Sequence, residues 1–246
     1  MKKVVTVLVA LVLTVLVFNP PVSAEEGINL SEKDYNKISQ KMKEDGSSQE
    51  DIDKVIAKLK NGDTLDADKP SNQNKAHFSL SSTFDEEKDS TTAVTDKEQE
   101  KTIRYDDGSY VKVEIIEEPS LSDGQFSTMA TKKTVTAKGS SIWGSASYKA
   151  DVYIDTRSGG TNYIGKVWGY DINTLLGTYS DPNLKITTKS EQRSKGITAK
   201  SRLRYTWNSS TSLSSKTYYL KLHTGDKIND RYGIWVDFTN GTASYK

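Results

Sequence analysis

Ile197-Thr198-Ala199-Lys200-Ser201-Arg202-Leu203-Arg204-Tyr205-Thr206-Trp207 changes character at every step. Ile197, Ala199, Ser201, Leu203, Tyr205 and Trp207 are small or apolar, while Thr198, Lys200, Arg202, Arg204 and Thr206 are polar. Successive strand side chains point to opposite faces, so a period of two predicts a β-strand with one face on a core and one toward water. The pattern recurs in both directions. Tyr148, Ala150, Val152 and Ile154 alternate with Lys149, Asp151, Tyr153 and Asp155, ending at Arg157-Ser158-Gly159-Gly160. Tyr218, Leu220 and Leu222 alternate with Tyr219, Lys221 and His223, and Ile234, Val236 and Phe238 close the series. Several such strands separated by Gly, Asn and Asp turns predict a mainly β protein with a C-terminal antiparallel β-sandwich or barrel over residues 131–246. No exact repeat is visible, which argues against a solenoid.

Upstream of that domain the period changes. Residues 25–62 read as an acidic helical hairpin. Ser31 with Asp34 makes a capping-box-like start flanked by a Leu30/Tyr35 staple, and Tyr35, Ile38 and Met42 line one face until Gly46. Ser48 with Asp51 repeats the start, followed by Ile52, Val55, Ile56 and Leu59, with Gly62 as the stop. Residues 63–101 are rich in Ser, Thr, Asn, Asp, Glu and Lys, with Phe78, Leu80 and Phe84 as large apolar groups, and predict a disordered acidic linker. Ile103-Arg104-Tyr105 and Tyr110 to Ile115 flank Asp106-Asp107-Gly108-Ser109, which predicts a separate β-hairpin over 102–118. A second linker, 119–130, leads into the β domain.

The N-terminus predicts export. Lys2-Lys3 precede an apolar run from Val4 to Phe18, and Pro20-Pro21 and Val22-Ser23-Ala24 complete a signal peptide over 1–24 with cleavage between Ala24 and Glu25. The run is short for a permanent membrane anchor. Zero cysteines exclude disulfides, thiol nucleophiles, Cys-metal sites and a lipid-bearing N-terminal Cys. The expected location is secreted, either extracellular or loosely envelope-associated. The run from Leu30-Ser31-Glu32-Lys33 to Leu59-Lys60-Asn61-Gly62-Asp63, followed by Tyr105-Asp106-Asp107-Gly108-Ser109, resembles the front half of exported Gram-positive proteins of uncharacterised function. The resemblance covers about residues 1–118 and implies secretion and a modular plan. That group favours Gly-Val after the first helix, whereas Gly46 here is followed by Ser47-Ser48.

Charge separates the chain into opposed halves. Residues 25–130 hold 14 Lys and Arg against 25 Asp and Glu, and residues 131–246 hold 18 against 8. In the basic half, Lys200, Arg202 and Arg204 project from one strand face at intervals of about 6 to 7 Å. Lys185, Lys189, Arg193 and Lys195 share one parity upstream, so a neighbouring strand would widen the patch. An exported protein with such a surface is expected to meet an anionic wall polymer or glycan, with the acidic half as an intramolecular rival and nucleic acid set aside. All four Trp and ten of the thirteen Tyr follow residue 130. Trp207 falls on the core parity of its strand, and Trp168, Tyr170 and Trp235 are the candidates for stacking on sugar.

Catalysis finds little footing. His77 and His223 are the two histidines, and neither a Gly-x-Ser-x-Gly elbow, a His-Glu-x-x-His helix nor a phosphate loop is present. His223 is expected to be a surface strand histidine. Asp151 with Asp155, Asp106-Asp107 and Glu117-Glu118 lack the setting of a glycosidase pair or an EF-hand. No catalytic residue, metal or cofactor is therefore assigned. A secreted binding protein is the leading expectation, with a bacteriocin-like or toxin-like protein or a proteolytically released inhibitor module as alternatives.

Overall fold

A computed structural model describes residues 30–72, 97–118, 130–155, 160–211, 215–225 and 233–241, with Arg157 and Leu213 besides. The expected signal peptide, its cleavage point Ala24/Glu25, His77 and most of both expected linkers lie outside the described residues. Within them, the chain is mainly β, with two helices ahead of two antiparallel sheets.

The helices start and stop where their caps dictate. In α1 (Glu32–Glu44) the Ser31 hydroxyl accepts from Asp34 N at 3.3 Å, and the Asp34 carboxylate accepts from Ser31 N at 3.1 Å. In α2 (Gln49–Lys60) the Ser48 hydroxyl accepts from Asp51 N at 3.1 Å. Tyr35, Ile38 and Met42 of α1 and Ile52, Val55 and Leu59 of α2 are buried, as their spacing predicts.

Among the described residues, nine strands follow. β1 (Lys97–Arg104), β2 (Tyr110–Glu117), β3 (Thr131–Ser141), β4 (Gly144–Ile154) and β5 (Tyr163–Thr174) form one sheet in chain order. β6 (Gly177–Thr188), β7 (Ala199–Ser209), β8 (Lys216–Thr224) and β9 (Ile234–Asn240) form the second, again in chain order. Both sheets are open, so the fold is a sandwich and not a barrel. Leu175 and Leu176 carry the chain from one sheet to the other. In β7, Ala199, Ser201, Leu203, Tyr205 and Trp207 are all buried, and the residues between them are not. Across the sandwich, the Tyr148 and Ser201 hydroxyls hydrogen-bond at 2.9 Å, Trp143 stacks on Trp207 at 5.2 Å, and Phe238 lies so close to Gly139 that a Cβ there would meet its ring at 2.4 Å.

Two sequence expectations need correcting. The 102–118 hairpin is not a separate unit: β2 pairs with β3 from Val111↔Ser141 to Glu117↔Val135, and Val111, Val113 and Ile115 share the sandwich core. The 63–101 linker is trimmed at both ends. Leu65 and Ala67 are buried around a 3-10 turn at Asp66–Asp68, and Lys97 to Lys101 already belong to β1. These five polar residues carry no apolar alternation in sequence, and their register runs from Lys97↔Glu117 to Lys101↔Val113, with Glu100 also meeting Lys112 of β2 at 2.6 Å.

The turn between β1 and β2 seats the helices. Arg104 donates to the Gly46 carbonyl at 2.8 Å and to the Ser47 hydroxyl at 2.9 Å. Asp107 accepts from Lys58 Nζ at 2.9 Å and from Asp66 N at 2.6 Å, while Ala67 N donates to the Ser109 hydroxyl at 2.9 Å. Burial works against the Asp107 charge, but its hydrogen bonds from Ser109, Asp66 N and Lys58 outweigh it and hold the carboxyl below its ordinary range. Gly108, at φ +81°, lies against the α2 backbone: a Cβ there would sit 2.3 Å from the Asp51 carbonyl oxygen. Tyr110 closes the clamp with a hydrogen bond from its hydroxyl to Asp45.

Candidate functional site

The same alternation that buries Leu203 and Tyr205 sends Lys200, Arg202 and Arg204 to the far face of the second sheet, away from the core. Antiparallel register then builds rows across it. One row runs Lys185, Arg202, Lys221 and Asp237, from β6 to β9. The next joins Lys200, His223 and Trp235, and a third joins Asn183, Arg204, Tyr219 and Thr239. Lys185 is exposed, and Lys200, Arg202 and Arg204 are half-buried. The Arg202 guanidinium lies 5.6 Å from the Tyr219 ring centroid and Lys221 Nζ lies 5.8 Å from it, so one ring carries two cations. Burial lowers the Lys221 pKa, Lys200 and Arg202 lower it further, and Asp237 opposes them.

Carboxylates answer several lysines of the first sheet. Lys138 meets Glu114 at 2.7 Å, Lys133 meets Glu117 at 2.8 Å, and Lys149 meets Glu118 at 2.5 Å. Asp68 reaches from the 3-10 turn to Lys216 at 2.5 Å. Each of these pairs joins the acidic half of the chain to the basic half. Among the described residues, Lys185, Lys200, Arg202 and Arg204 have no carboxylate within ion-pair distance, and the Arg202 Nε, sealed from water, donates to no acceptor.

Other sequence candidates scatter. Lys189 and Arg193 do not extend the patch as a strand, because β6 ends at Thr188 and residues 193–195 form a 3-10 turn closed by Gly196 at φ +62°. Arg193 Nε donates to Glu191 at 3.0 Å, so it is already engaged. The three aromatic candidates do not converge. Trp168, with Lys166 Nζ 4.9 Å from its ring, and Tyr170, 44% exposed, belong to β5 in the first sheet, whereas Trp235 belongs to β9 in the second. Trp235 is 4% exposed and stacks on His223 at 5.1 Å, leaving no open face for a sugar.

His223 departs furthest from expectation. It sits on the outward parity, yet it is 6% exposed. Its Nδ1 lies 3.2 Å from the Thr198 hydroxyl, and its Nε2 lies 3.0 Å from Asp237 Oδ2. The Nε2 approach is short but poorly aligned, so the contact is electrostatic more than a directed hydrogen bond. Burial lowers its pKa, Asp237 partly restores it, and Lys200 and Lys221 add to the depression. Sequence reasoning missed Thr198, Tyr219, Lys221 and Asp237, because only strand register brings them beside Lys200, Arg202 and His223.

Among the described residues, no group of three His, Asp or Glu is placed to hold a metal ion, and no helix is long and apolar enough to cross a membrane. No family model matches the chain, and no curated protein or solved structure matches it either.

Proposed function

We propose that this chain is an exported, non-catalytic binding protein whose second sheet docks on an anionic polymer or glycan of the cell envelope. The observation that carries the reading is the contrast between two layers of one sandwich. Lys133, Lys138 and Lys149 on the first sheet have carboxylate partners, while Lys185, Lys200, Arg202 and Arg204 on the second have none among the described residues. Adjacent unanswered cations repel one another and gain when an anion arrives. Arginine suits such a partner, since its planar fork can grip phosphate or carboxylate with two hydrogen bonds.

The test is retention of residues 25–246 on purified wall and on soluble wall polymer across a salt series. Each phosphate contact contributes roughly one unit to the slope of log affinity against log salt. Arg202→Gln with Arg204→Gln should flatten that slope by about two units. Lys138→Gln, which removes a partnered lysine on the other sheet, should leave it unchanged. If the chain ignores wall and polymer at low ionic strength, the proposal fails. Dye release from anionic vesicles without wall retention would favour the toxin-like alternative instead.

A further inference from the structure

His223 is surrounded by groups that respond to charge. From β7 and the residue before it come Lys200, its register partner, and Thr198. Lys221 lies two residues away on its own strand, and Asp237 and Trp235 face it from β9. Lys200 and Lys221 oppose an imidazolium, as does burial, while Asp237 favours one. The ring has room for a second proton, because the Thr198 hydroxyl at Nδ1 can turn from donor to acceptor and Nε2 already faces a carboxylate. An anion settling on Lys200 and Arg202 offsets their positive potential, so that burial, opposed by Asp237, has less help from neighbouring cations.

We propose that anion binding on the far face of the second sheet is coupled to uptake of one proton by His223, so that the protein holds a polyanion more tightly as its surroundings acidify. This inference rests on the anion-binding reading above. The proton comes from solvent and stays on the imidazole, and no covalent bond changes. Linkage fixes the direction: a ligand that stabilises the protonated form binds more strongly at lower pH, by no more than tenfold per pH unit for one proton. The gain develops as pH falls through the bound-form pKa of His223 and levels off below its lowered free-form value.

Dextran sulfate is the probe, because its sulfate esters stay ionised throughout the range and contribute no titration. Binding to residues 25–246 would be measured by calorimetry from pH 5 to pH 8 at fixed ionic strength, in two buffers of different ionisation heat to count protons. The expected result is several-fold tighter binding at pH 5.5 than at pH 7.5, with up to one proton taken up. The His223 imidazole resonance should titrate at higher pH in the complex than in the free protein. His77→Gln should preserve the pH dependence, whereas His223→Gln should remove it. Lys200→Gln should narrow it by removing one of the opposing cations. The wild-type resonance needs no substitution, so a variant that fails to fold does not shield the proposal. Binding that is flat with pH and releases or takes up no proton overturns the coupling alone. Binding whose pH dependence survives His223→Gln in a folded variant also overturns it. Absence of binding to dextran sulfate at every pH and low salt overturns the anion-binding reading and the coupling together.

Discussion

Replacing Asp68 with Ala should loosen the contact between the helical end of the chain and the sandwich. The carboxylate is 4% exposed and accepts from Trp143 Nε1 at 2.8 Å, Lys216 Nζ at 2.5 Å and Asn240 Nδ2 at 2.5 Å. The Lys216 side chain is 19% exposed, and its ammonium lies 5.1 Å from the Trp143 ring and 5.8 Å from the Trp207 ring. Asp68→Ala leaves that ammonium, an indole N–H and an amide without their acceptor. Breaking one side of a buried pair costs about 3–5 kcal/mol. With a urea m-value of about 2 kcal/mol/M, the unfolding midpoint should fall by roughly 1.5 to 2.5 M. Tryptophan fluorescence is the natural assay, since the stacked Trp143 and Trp207 rings both face Lys216. Lys216→Met alone should also destabilise, by stranding Asp68, and the double substitution should cost less than the two separately. A midpoint shift below about 0.3 M for Asp68→Ala, or strictly additive single and double variants, would refute the reasoning.

Other outcomes follow from the same physics. Gly108→Ala should cost more than the roughly 1 kcal/mol of an ordinary glycine substitution, because the residue has φ +81° and its Cβ would strike the Asp51 carbonyl; denaturant melts and proteolysis of the helical segment would read the loss. Tyr148→Phe should cost about 1 kcal/mol by leaving the buried Ser201 hydroxyl without its 2.9 Å partner, again visible in denaturant melts. Acid should weaken the fold in a set order. Burial opposes the Glu114 charge, but Lys112 and Lys138 hold the carboxyl below its ordinary range, and the Arg157 hydrogen bond draws Asp155 down to about 2. The stability from both is present in full above about pH 4.5 and is lost as pH falls through their folded values, so Glu114→Gln should lessen the fall in melting temperature between about pH 4.5 and pH 2. The lowered His223 pKa adds a loss that begins nearer pH 6.5, because the unfolded chain binds that proton first, and His223→Gln should remove this upper part of the profile.

Much of the fold is legible in the chain because local rules and burial agree there. Ser31, Gly46, Ser48 and Gly62 mark helix ends by cap chemistry that needs no distant partner, and Ala199 to Trp207 declares its two faces by alternation. The opposite holds for Lys97 to Lys101, which pair with β2 although their sequence carries no apolar alternation to announce a strand. Asp107-Gly108-Ser109 reads as a turn and is one, but its carboxylate, bare backbone and hydroxyl also seat α2 and the 3-10 turn, which only the tertiary structure reveals. At the candidate site, strand parity identifies Lys200, Arg202 and Arg204. It places His223 outward as well, yet it cannot report that Asp237, Trp235 and Thr198 enclose the ring, because burial depends on register with β7 and β9.

The pairing of Glu114, Glu117 and Glu118 with Lys138, Lys133 and Lys149 also bears on posture. With those charges mutually satisfied, much of the first sheet's charge is balanced, while Lys185, Lys200, Arg202 and Arg204 on the second have no carboxylate at ion-pair distance among the described residues. A body charged on one side turns as it nears a negative surface. This protein would therefore lie with its second sheet against that surface and its first sheet toward the medium, so that a tightly held molecule still offers Trp168 and Tyr170 of β5 to whatever arrives from solution.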